Sequence, residues 1–429
     1  MISRSEVVRL DRAHLWHPYT PADTWETTDP IVVVRAKGSY LFDANGSRYL
    51  DGNSSWWVAA LGHGHPRLLA AMQAQASELA HCALAGITHE PAVLLAQDLL
   101  RTAPAGLSRV FYTDDGSTAI DLAVKMSVQS FKNRGMPKKV RFVALEGAFH
   151  GDTVGATSLG GVDVFRKPYA GVLFDCVRAD FPEGSYARAF EIISDIIERD
   201  RDSIAAVVVE SLVQGSAGMR FYDPAYLREL RALTERAGVL LIVDEVFAGY
   251  GRTGTMWACE QAGITPDLMC IGKAMSALIP MGATLATEAV FDTFRGSKDR
   301  ALWYGHTFCG NPIGAALARE LLAIYKDERI LEQVERKANV IAKAFARIAE
   351  IHGVRGTRHL GMIGAADLGG SDGYFGGLGW RVYEEARRRG AYLRPLGDTV
   401  YVCPPLNIED ADLEMLLSIF EESVRAAAP

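Results

Sequence analysis

Two stretches of the sequence place a reactive side chain directly after a short apolar run. Residues 239–243 lead into Asp244, and residues 268–271 lead through a glycine into Lys273. Both runs are short and continuous, and the first is rich in β-branched residues, so each is predicted to be a buried parallel strand. Ligands bind at the carboxyl ends of such strands. An amine and a carboxylate delivered there are the groups that a pyridoxal phosphate site requires, the lysine for the aldehyde and the acid for the pyridinium nitrogen.

These two side chains also have an ordinary interpretation. A lysine that follows a strand is usually solvated, and the acidic pair at 244–245 could cap a helix or form a surface ion pair. The choice between the two interpretations therefore depends on what the rest of the chain brings to the same edge of the sheet.

The segment from 105 to 275 alternates between strand and helix patterns, which predicts an α/β fold with a mostly parallel sheet. Near its start, a strand leads through Gly116 into a helix that begins near Ser117. The free N–H groups and the positive dipole end of such a helix form an anion site, although Ser117 could simply cap the helix. Phe149 follows another strand, where its ring would either stack on a flat heterocycle or fill the core.

The chain is predicted to divide into three parts. Residues 1–60 form an N-terminal arm and part of a small domain, residues 61–325 form a large domain that binds pyridoxal phosphate, and residues 326–429 form the C-terminal small α+β domain. Within the last part, the glycine-rich stretch 367–380 is predicted to be a surface loop, and its role is left open.

Two adjacent tryptophans, Trp56 and Trp57, close the N-terminal part. If this segment is extended, as its surroundings indicate, neighbouring side chains face opposite ways. One of the two rings is therefore expected to lie in the core and the other to line a pocket.

Composition and charge exclude several classes of protein. The net charge is −7 without a basic block, so no nucleic-acid partner is expected. The N-terminus lacks the apolar run of a signal peptide, and no stretch is long and apolar enough to span a membrane, which predicts a cytoplasmic protein without a membrane partner. The six cysteines are scattered without CxxC spacing, as reduced thiols are, and no metal site is expected.

One rival motif is a literal GxGxxG at Gly249, Gly251 and Gly254, directly after the first strand. The same pattern marks the dinucleotide-binding turn of dehydrogenases. Here an acidic pair precedes the glycines, where it would oppose a pyrophosphate, and the segment after Gly254 is a poor start for a helix. A nicotinamide-dependent enzyme is therefore the least favoured interpretation.

Several motifs together resemble those of the class III, fold-type I aminotransferases, which depend on pyridoxal phosphate. The resemblance runs from about Leu10 to Pro405, and the motifs occur in the order expected for the family: GS (116–117), FHG (149–151), VDEVFAGYGRTG followed by IGKAM, and GHTFCGNP. The resemblance implies a large domain with a mostly parallel, seven-stranded type of sheet and a smaller α+β domain. It also implies a homodimer whose subunits share their active sites.

The resemblance further implies a role for each matching residue. Lys273 is similar to the lysine that holds the cofactor as a Schiff base, and Asp244 is similar to the partner of the pyridine nitrogen. Gly116 and Ser117 match the phosphate cup, and Phe149 matches the ring-stacking residue. His306 and Thr307 match two phosphate contacts that a second subunit supplies. The implied substrate contacts, besides Phe149 and Lys273, are Tyr19, Trp56, Gly305 and Arg394, with Arg252 as a weaker candidate. Arg394 matches the group that receives the substrate carboxylate through a planar, bidentate fork.

One subfamily is resembled in particular, through HLWHPYT (14–20), DGNSSWW (51–57), GITHEPA (86–92) and LRPLGDTVYVCPP (393–405). Its members transfer an amino group from S-adenosylmethionine to 8-amino-7-oxononanoate by ping-pong kinetics, giving 7,8-diaminononanoate for biotin synthesis. The match favours Trp56 as the tryptophan that faces the pocket. Phe149 stands where the members that use this donor commonly have tyrosine, and Glu210 precedes a serine rather than the usual proline, so lysine stays open as the donor.

Other activities are compatible with the same cofactor residues. A class III enzyme for ω-amino acids or diamines would differ mainly at wall positions such as Tyr19, Trp56 and Arg394. An aminomutase of the same fold would need no second substrate. A cofactor-binding scaffold without catalysis is disfavoured, because Lys273 and Asp244 are both present.

Overall fold

The N-terminal part of the chain is joined to its C-terminal part by a shared sheet. The computed structural model describes residues 2–370 and 373–428. The first elements are the helices Arg4–His14 and Ala22–Thr27 and the antiparallel strands β1 (Val33–Lys37), β2 (Tyr40–Asp43) and β3 (Arg48–Asp51). The last of these strands also pairs in parallel with Ala391–Tyr392, near the other end of the chain.

The segment Ser54–Trp57 forms one left-handed helical turn. Its four residues have φ values of 48°, 45°, 63° and 73°, a conformation that costs residues other than glycine about 1–2 kcal/mol each. The buried carboxylate of Asp51 accepts a hydrogen bond from the Ser55 hydroxyl at 2.9 Å. The Ser54 hydroxyl donates to the carbonyl of Cys403 at 2.7 Å. The expectation that the tryptophan pair lies on an extended segment is therefore wrong, because one local contact and one contact distant in sequence hold the turn.

Seven strands form the central sheet, which confirms the predicted α/β fold with a mostly parallel sheet. The strands of this part of the chain are β4 (Leu107–Thr113), β5 (Arg141–Leu145), β6 (Cys176–Ala179), β7 (Ile204–Glu210), β8 (Val213–Gln214), β9 (Arg220–Phe221), β10 (Leu240–Asp244), β11 (Leu268–Ile271) and β12 (Gly282–Thr287). The sheet order is β4-β12-β11-β10-β7-β5-β6, while β8 and β9 form a separate hairpin. β12 runs antiparallel to both of its neighbours, β4 and β11, and the other pairs of the sheet are parallel.

An apolar core lies on each face of this sheet. Successive residues of β7 alternate between the two cores, with Val207 and Val209 in one and Ala206 and Val208 in the other. Such a strand is buried on both faces, which explains its continuous apolar sequence. The helices of this part of the chain are Pro66–Glu78, Glu90–Thr102, Gly116–Asn133, Val154–Leu159, Asp163–Arg166, Ala187–Asp200, Pro224–Ala237, Glu288–Phe291 and Pro312–Asp327.

The C-terminal part has an antiparallel sheet of its own. Its strands are β13 (Val354–Leu360), β14 (Ile363–Leu368), β15 (Ala391–Tyr392) and β16 (Thr399–Val402), and its helices are Ile330–Ile348, Leu378–Arg388 and Asp410–Ala427. The sheet order is β13-β14-β16, while β15 pairs with β3. The predicted loop 367–380 overlaps the end of β14 and the start of the following helix, and residues 371 and 372 lie outside the described part of the chain.

Across residues 2–370 and 373–428, no helix combines the length and the apolar character that crossing a bilayer would require. In the same part of the chain, no three or more His, Cys, Asp or Glu side chains come together as a metal site would need. The six cysteines are free thiols.

Candidate active site

A cavity of about 540 Å³ opens at the carboxyl ends of β7, β10 and β11. The first of these strands ends in Glu210, the second ends in Asp244, and Lys273 follows the third. Parallel strands thus deliver two carboxylates and an amine to one place. The cavity is lined by the predicted residues Gly116, Ser117, Phe149, Asp244 and Lys273.

Lys273 is partly buried, and its backbone is strained. Its φ is +43°, a left-handed value that the surrounding structure must hold in place. Gly272, which precedes it, allows the start of the helix Gly116–Asn133 to approach this segment closely. A Cβ at position 272 would lie 3.2 Å from the backbone of Gly116. Burial lowers the pKa of the Lys273 ammonium, and the Asp244 and Glu210 carboxylates oppose this effect. A lysine in such surroundings keeps a share of neutral amine for nucleophilic attack.

Asp244 is held through both of its carboxylate oxygens. Oδ1 accepts a hydrogen bond from the backbone N–H of Val246 at 2.9 Å, and Oδ2 lies 2.8 Å from Nδ1 of His150. The His150 side chain is fully buried. These contacts fix the orientation of the carboxylate at the cavity wall. The motif at 149–151 contains His150, but sequence reasoning gave it no role, because the two partners are 94 residues apart.

Glu210 is a further acid at the strand ends that sequence reasoning left without a role. Its carboxylate accepts hydrogen bonds from the backbone N–H groups of Phe149 at 3.0 Å and Gly215 at 3.1 Å. Burial raises the pKa of Glu210 to about 7, with His150 opposing and Asp244 reinforcing the rise. Glu210 therefore braces the loop that carries Phe149. The available sequence signal was its position directly after the continuous apolar run 205–209. The structure places it beside Asp244 on the neighbouring strand end.

The start of the helix Gly116–Asn133 forms the predicted anion site. Asp115 caps this helix, since its carboxylate accepts from the N–H of Thr118 at 2.8 Å and its own N–H donates to the Thr118 hydroxyl at 3.1 Å. Ser117 is therefore not the cap. Its hydroxyl instead accepts a hydrogen bond from the backbone N–H of Asp152 at 3.3 Å, beside the cavity.

These residues fit a bound pyridoxal phosphate. The helix start at Gly116 offers N–H groups and a positive dipole end to a phosphate. A Cβ at Gly116 would lie 2.5 Å from Val246, and a Cβ at Gly151 would lie 2.0 Å from the Ser117 hydroxyl, so glycine at both positions keeps the cradle open. The amine of Lys273 and the buried carboxylate of Asp244 supply the remaining two groups that the cofactor requires.

Three predicted substrate residues come together beside this cavity without lining it. The rings of Tyr19 and Trp56 meet edge to face at 5.2 Å. The guanidinium carbon of Arg394 lies 5.1 Å from the Trp56 ring centre, and Nη2 donates to the carbonyl of Tyr19 at 3.2 Å. The Tyr19 hydroxyl donates to Asp152, which lines the cavity. Asp152 therefore links this cluster to the cofactor cavity.

Trp57, rather than Trp56, lines the cofactor cavity. Its ring centre lies 5.1 Å from Nζ of Lys273, and its Nε1 donates to the hydroxyl of Tyr401 at 3.1 Å. Trp56 is 37% exposed, and its ring faces Arg394. Sequence reasoning favoured Trp56 as the ring that faces the pocket and missed Trp57, because the left-handed turn sends the two rings to different parts of the site.

Four other predicted residues do not line the cavity: Gly305, His306, Thr307 and Arg252. In the segment 305–307, Nδ1 of His306 lies 3.1 Å from a carboxylate oxygen of Asp114, which borders the cavity. The substrate contact of Gly305 and the phosphate contacts of His306 and Thr307 in a second subunit stay predictions. The weaker candidate, Arg252, is buried and donates to the carbonyl of Pro404 at 2.5 Å, so its contact is with the backbone.

The rejected GxGxxG motif does not start a helix. Gly251 and Gly254 have φ values of +85° and +114°. The first regular element after them is a short 3-10 helix, Ala258–Ala262. A dinucleotide-binding turn requires a helix N-terminus directly after the glycines. The geometry therefore agrees with the choice against a nicotinamide cofactor.

The sequence and fold are similar to those of known aminotransferases. The family model described as Aminotransferase class-III matches residues 22–424. A relative from Geobacter sulfurreducens, named adenosylmethionine-8-amino-7-oxononanoate aminotransferase, is 37% identical, with 96% of each chain covered. The crystal structure of the protein of that name from Methanocaldococcus jannaschii has a TM-score of 0.96 and 30% identity, with 99% of each chain covered.

A second solved structure bears on the cofactor. The omega transaminase from Pseudomonas jessenii in complex with PMP has a TM-score of 0.93 and 27% identity, with 98% of each chain covered. Both structures match over nearly the whole chain, the cavity included. The chain therefore belongs to the class III aminotransferases, enzymes that depend on pyridoxal phosphate.

Proposed function

We propose that this enzyme transfers an amino group from S-adenosylmethionine to 8-amino-7-oxononanoate, giving 7,8-diaminononanoate in biotin biosynthesis, by ping-pong kinetics. The observation that carries the proposal is Arg394, held beside the cavity by Tyr19 and Trp56. A guanidinium in that place is suited to receive the carboxylate of the acceptor while its ketone extends into the cofactor cavity. The relatives named for this reaction support the assignment.

The residues of the cavity divide the chemistry between them. Bound pyridoxal phosphate supplies an aldehyde that accepts the amino group and a ring that takes up electrons when a bond to carbon breaks. Lys273 would hold the cofactor, and its Nζ, once displaced by the donor amine, would act as the base that removes the proton from the amino-bearing carbon of the donor. Its lowered pKa suits this role, because only the neutral amine is a base. Asp244, which is oriented by His150, would keep the pyridine nitrogen of the bound cofactor protonated.

The identity of the donor depends on the wall at Phe149. This ring lines the cavity and offers no hydroxyl to a polar donor. That observation favours lysine as the second candidate for the donor, with the same acceptor. In either case Phe149 is proposed to stack on the ring of the cofactor, and Glu210 holds its backbone in place.

We also propose that the enzyme is a homodimer with shared active sites and that it works in the cytoplasm. Trp303 and Phe308, which flank the segment 305–307, are 81% and 55% exposed. Apolar rings of that exposure favour coverage by a second copy, which would bring His306 and Thr307 to the phosphate of its neighbour. Six free cysteines are compatible with a reducing compartment.

A visible absorption spectrum tests the cofactor and the donor together. The purified enzyme is expected to show the band of bound pyridoxal phosphate. Adding S-adenosylmethionine without any ketone should convert this band to that of pyridoxamine phosphate. Subsequent addition of 8-amino-7-oxononanoate should restore the first band and release 7,8-diaminononanoate, which mass spectrometry identifies.

Two outcomes would change the proposal in different ways. A band that responds to lysine but not to S-adenosylmethionine would keep the acceptor and replace the donor. A band that responds only to ω-amino acids or diamines, with no turnover of the oxononanoate, would assign the enzyme to another class III activity.

A further inference from the structure

The parallel pairing of β3 with β15 ends just before Arg394. The N–H of Gly52, directly after β3, donates to the carbonyl of Tyr392, the last residue of β15, at 3.1 Å. In a continuing parallel ladder, the N–H of Arg394 would donate to the carbonyl of Gly52. That carbonyl instead accepts from the N–H of Cys403 at 2.7 Å. The backbone N–H of Arg394 therefore needs a partner from outside the ladder.

The side chain of Asn53 supplies that partner. Its Oδ1 accepts from the N–H of Arg394 at 2.6 Å, and its Nδ2 donates to the carbonyl of Tyr401, on β16, at 3.4 Å. This orientation of the amide pairs its oxygen with an N–H and its nitrogen with a carbonyl. Asn53 is 2% exposed, so both contacts are shielded from water. The amide thus joins the two ends of the segment 393–401, which carries Arg394.

The other end of Arg394 is held from the same stretch of chain. Its guanidinium carbon lies 5.1 Å from the centre of the Trp56 ring, three residues after Asn53, and its Nη2 donates to the carbonyl of Tyr19 at 3.2 Å. The short segment 53–56 therefore contacts both the backbone and the guanidinium of the arginine. A guanidinium has five N–H donors in a fixed plane. The carbonyl of Tyr19 uses one of them, and a substrate carboxylate can accept from others.

We propose that Asn53 is a positioning residue for the carboxylate of the substrate. It fixes the backbone of Arg394 while Trp56 lies against the guanidinium, and together they keep the donors of the arginine where the carboxylate arrives. Asn53 acts through the arginine and does not touch the substrate. This inference rests on the proposed function, in which Arg394 receives the carboxylate of the acceptor.

The test compares Asn53→Leu with the wild-type holoenzyme, using octanoate as an unreactive carboxylate probe and octanamide as its neutral counterpart. Leucine has a similar branched shape but neither donates nor accepts a hydrogen bond. Calorimetric titration is expected to show octanoate binding weakened about three- to tenfold in the variant, the value of one hydrogen bond. Octanamide binding and the visible band of the cofactor should be unchanged. The KM for 8-amino-7-oxononanoate should rise by a similar factor, with kcat little altered.

Asn407→Leu is the matched control. The amide of Asn407 also joins the N-terminal and C-terminal parts of the chain, since its Nδ2 donates to the carbonyl of Leu61 at 3.2 Å, but this bond does not involve Arg394. Octanoate binding should be unchanged in this variant. If Asn53→Leu does not fold, Asn53→Ala, which only shortens the side chain, provides the same test with the same expected result.

Arg394→Gln distinguishes a failure of this inference from a failure of the proposed function. If Arg394→Gln weakens octanoate binding and the Asn53 variant does not, the positioning role of Asn53 is overturned. Equal weakening of octanoate and octanamide in the Asn53 variant, or weakening of octanoate binding to the same extent in Asn407→Leu, would also overturn it, because either would indicate a general loss of structure. Octanoate binding that is unchanged in Arg394→Gln would instead refute Arg394 as the carboxylate receiver of the proposed function.

Discussion

Each reactive side chain of the cavity depends on a neighbour that the fold places beside it. Burial favours the neutral amine of Lys273, and the carboxylate of Asp244 counteracts this effect. The orientation of Asp244 in turn depends on its contact with His150. A substitution one contact away from the chemistry is therefore expected to act through the orientation of the acid.

Replacement of His150 tests this dependence. His150→Phe removes the ring nitrogen that lies 2.8 Å from Asp244. We expect kcat to fall about 10- to 100-fold, the value of one hydrogen bond to a charged group. His150→Asn, whose side-chain N–H can reach a similar position, should recover much of the loss. Steady-state kinetics at saturating cofactor would measure both variants, and equal activities of the two would contradict a positioning role.

The catalytic pair could be predicted from the sequence, and its supporting residues could not. Asp244 and Lys273 each follow a continuous apolar run, so a local pattern fixes both their strand and the end at which they emerge. His150 and Trp57 act through contacts with residues far away in the chain, and no local pattern reports such contacts. Trp57 in particular depends on a backbone conformation that its own sequence does not favour.

At the scale of elements, the left-handed turn Ser54–Trp57 directs two tryptophans to two halves of the site. Trp57 lies against the amine of Lys273, and Trp56 lies against Arg394. In an extended segment, successive side chains point to opposite faces, so the two rings would have pointed away from each other. The turn keeps both rings at the same site, at the cost of local backbone strain.

A pair of substitutions at Ser55 measures this strain. Ser55→Ala and Ser55→Gly both remove the hydroxyl that donates to Asp51, but only glycine tolerates the φ of 45° without strain. We expect the glycine variant to be more stable than the alanine variant by about 1 kcal/mol, the reverse of the usual order in a helix. Denaturant unfolding of the two variants would measure the difference. An alanine variant of equal or greater stability would show that the turn is unstrained.

Glu245, the acid that follows Asp244, is predicted to make the stability of the protein depend on pH. Glu245 is buried and accepts hydrogen bonds from the N–H groups of Ala258 and Cys259 at 2.9 and 2.8 Å. Burial raises the pKa of Glu245 from 4.5 to about 7. Between these values the folded protein keeps a proton that the unfolded chain releases, so this group makes stability fall as pH rises through the window.

Glu245→Gln should lack that part of the pH dependence. From pH 4.5 to 7, the wild type is expected to lose about 1–3 kcal/mol of unfolding free energy relative to the variant. Denaturant unfolding of both proteins at several pH values would measure the change. Glu191→Gln, at an exposed position of the helix Ala187–Asp200, is the matched control. If the unfolding free energies of the wild type and of Glu245→Gln changed in parallel with pH, the raised pKa assigned to Glu245 would be contradicted.

At the scale of the whole molecule, the proposed dimer assigns the groups of one site to two chains. Lys273 lies in the cavity of its own chain, whereas His306 and Thr307 do not line that cavity. If these residues serve the neighbouring site, two chains with different defects can restore one intact site between them.

Mixed dimers of Lys273→Ala and Thr307→Ala chains test the shared site. Each variant alone should be nearly inactive. Dissociated and reassembled together in equal amounts, they should recover up to about a quarter of wild-type activity, because half of the dimers are mixed and each mixed dimer holds one intact site. Light scattering would report the dimer mass before and after mixing. Activity that never exceeds that of the separate variants would place all the functional groups of a site within one chain.

The turn that carries the tryptophans has a consequence for synthesis of the protein. Ser54 and its partner Cys403 are 349 residues apart, and β3, which precedes the turn, pairs with a strand near the end of the chain. The ribosome exports chains from the N-terminus onward, so Ser54 emerges 349 residues before its partner Cys403. The α/β sheet between them has emerged in full before that point. A nascent chain can therefore fold its sheet while the active site stays incomplete, and the turn can be completed only after Cys403 has emerged.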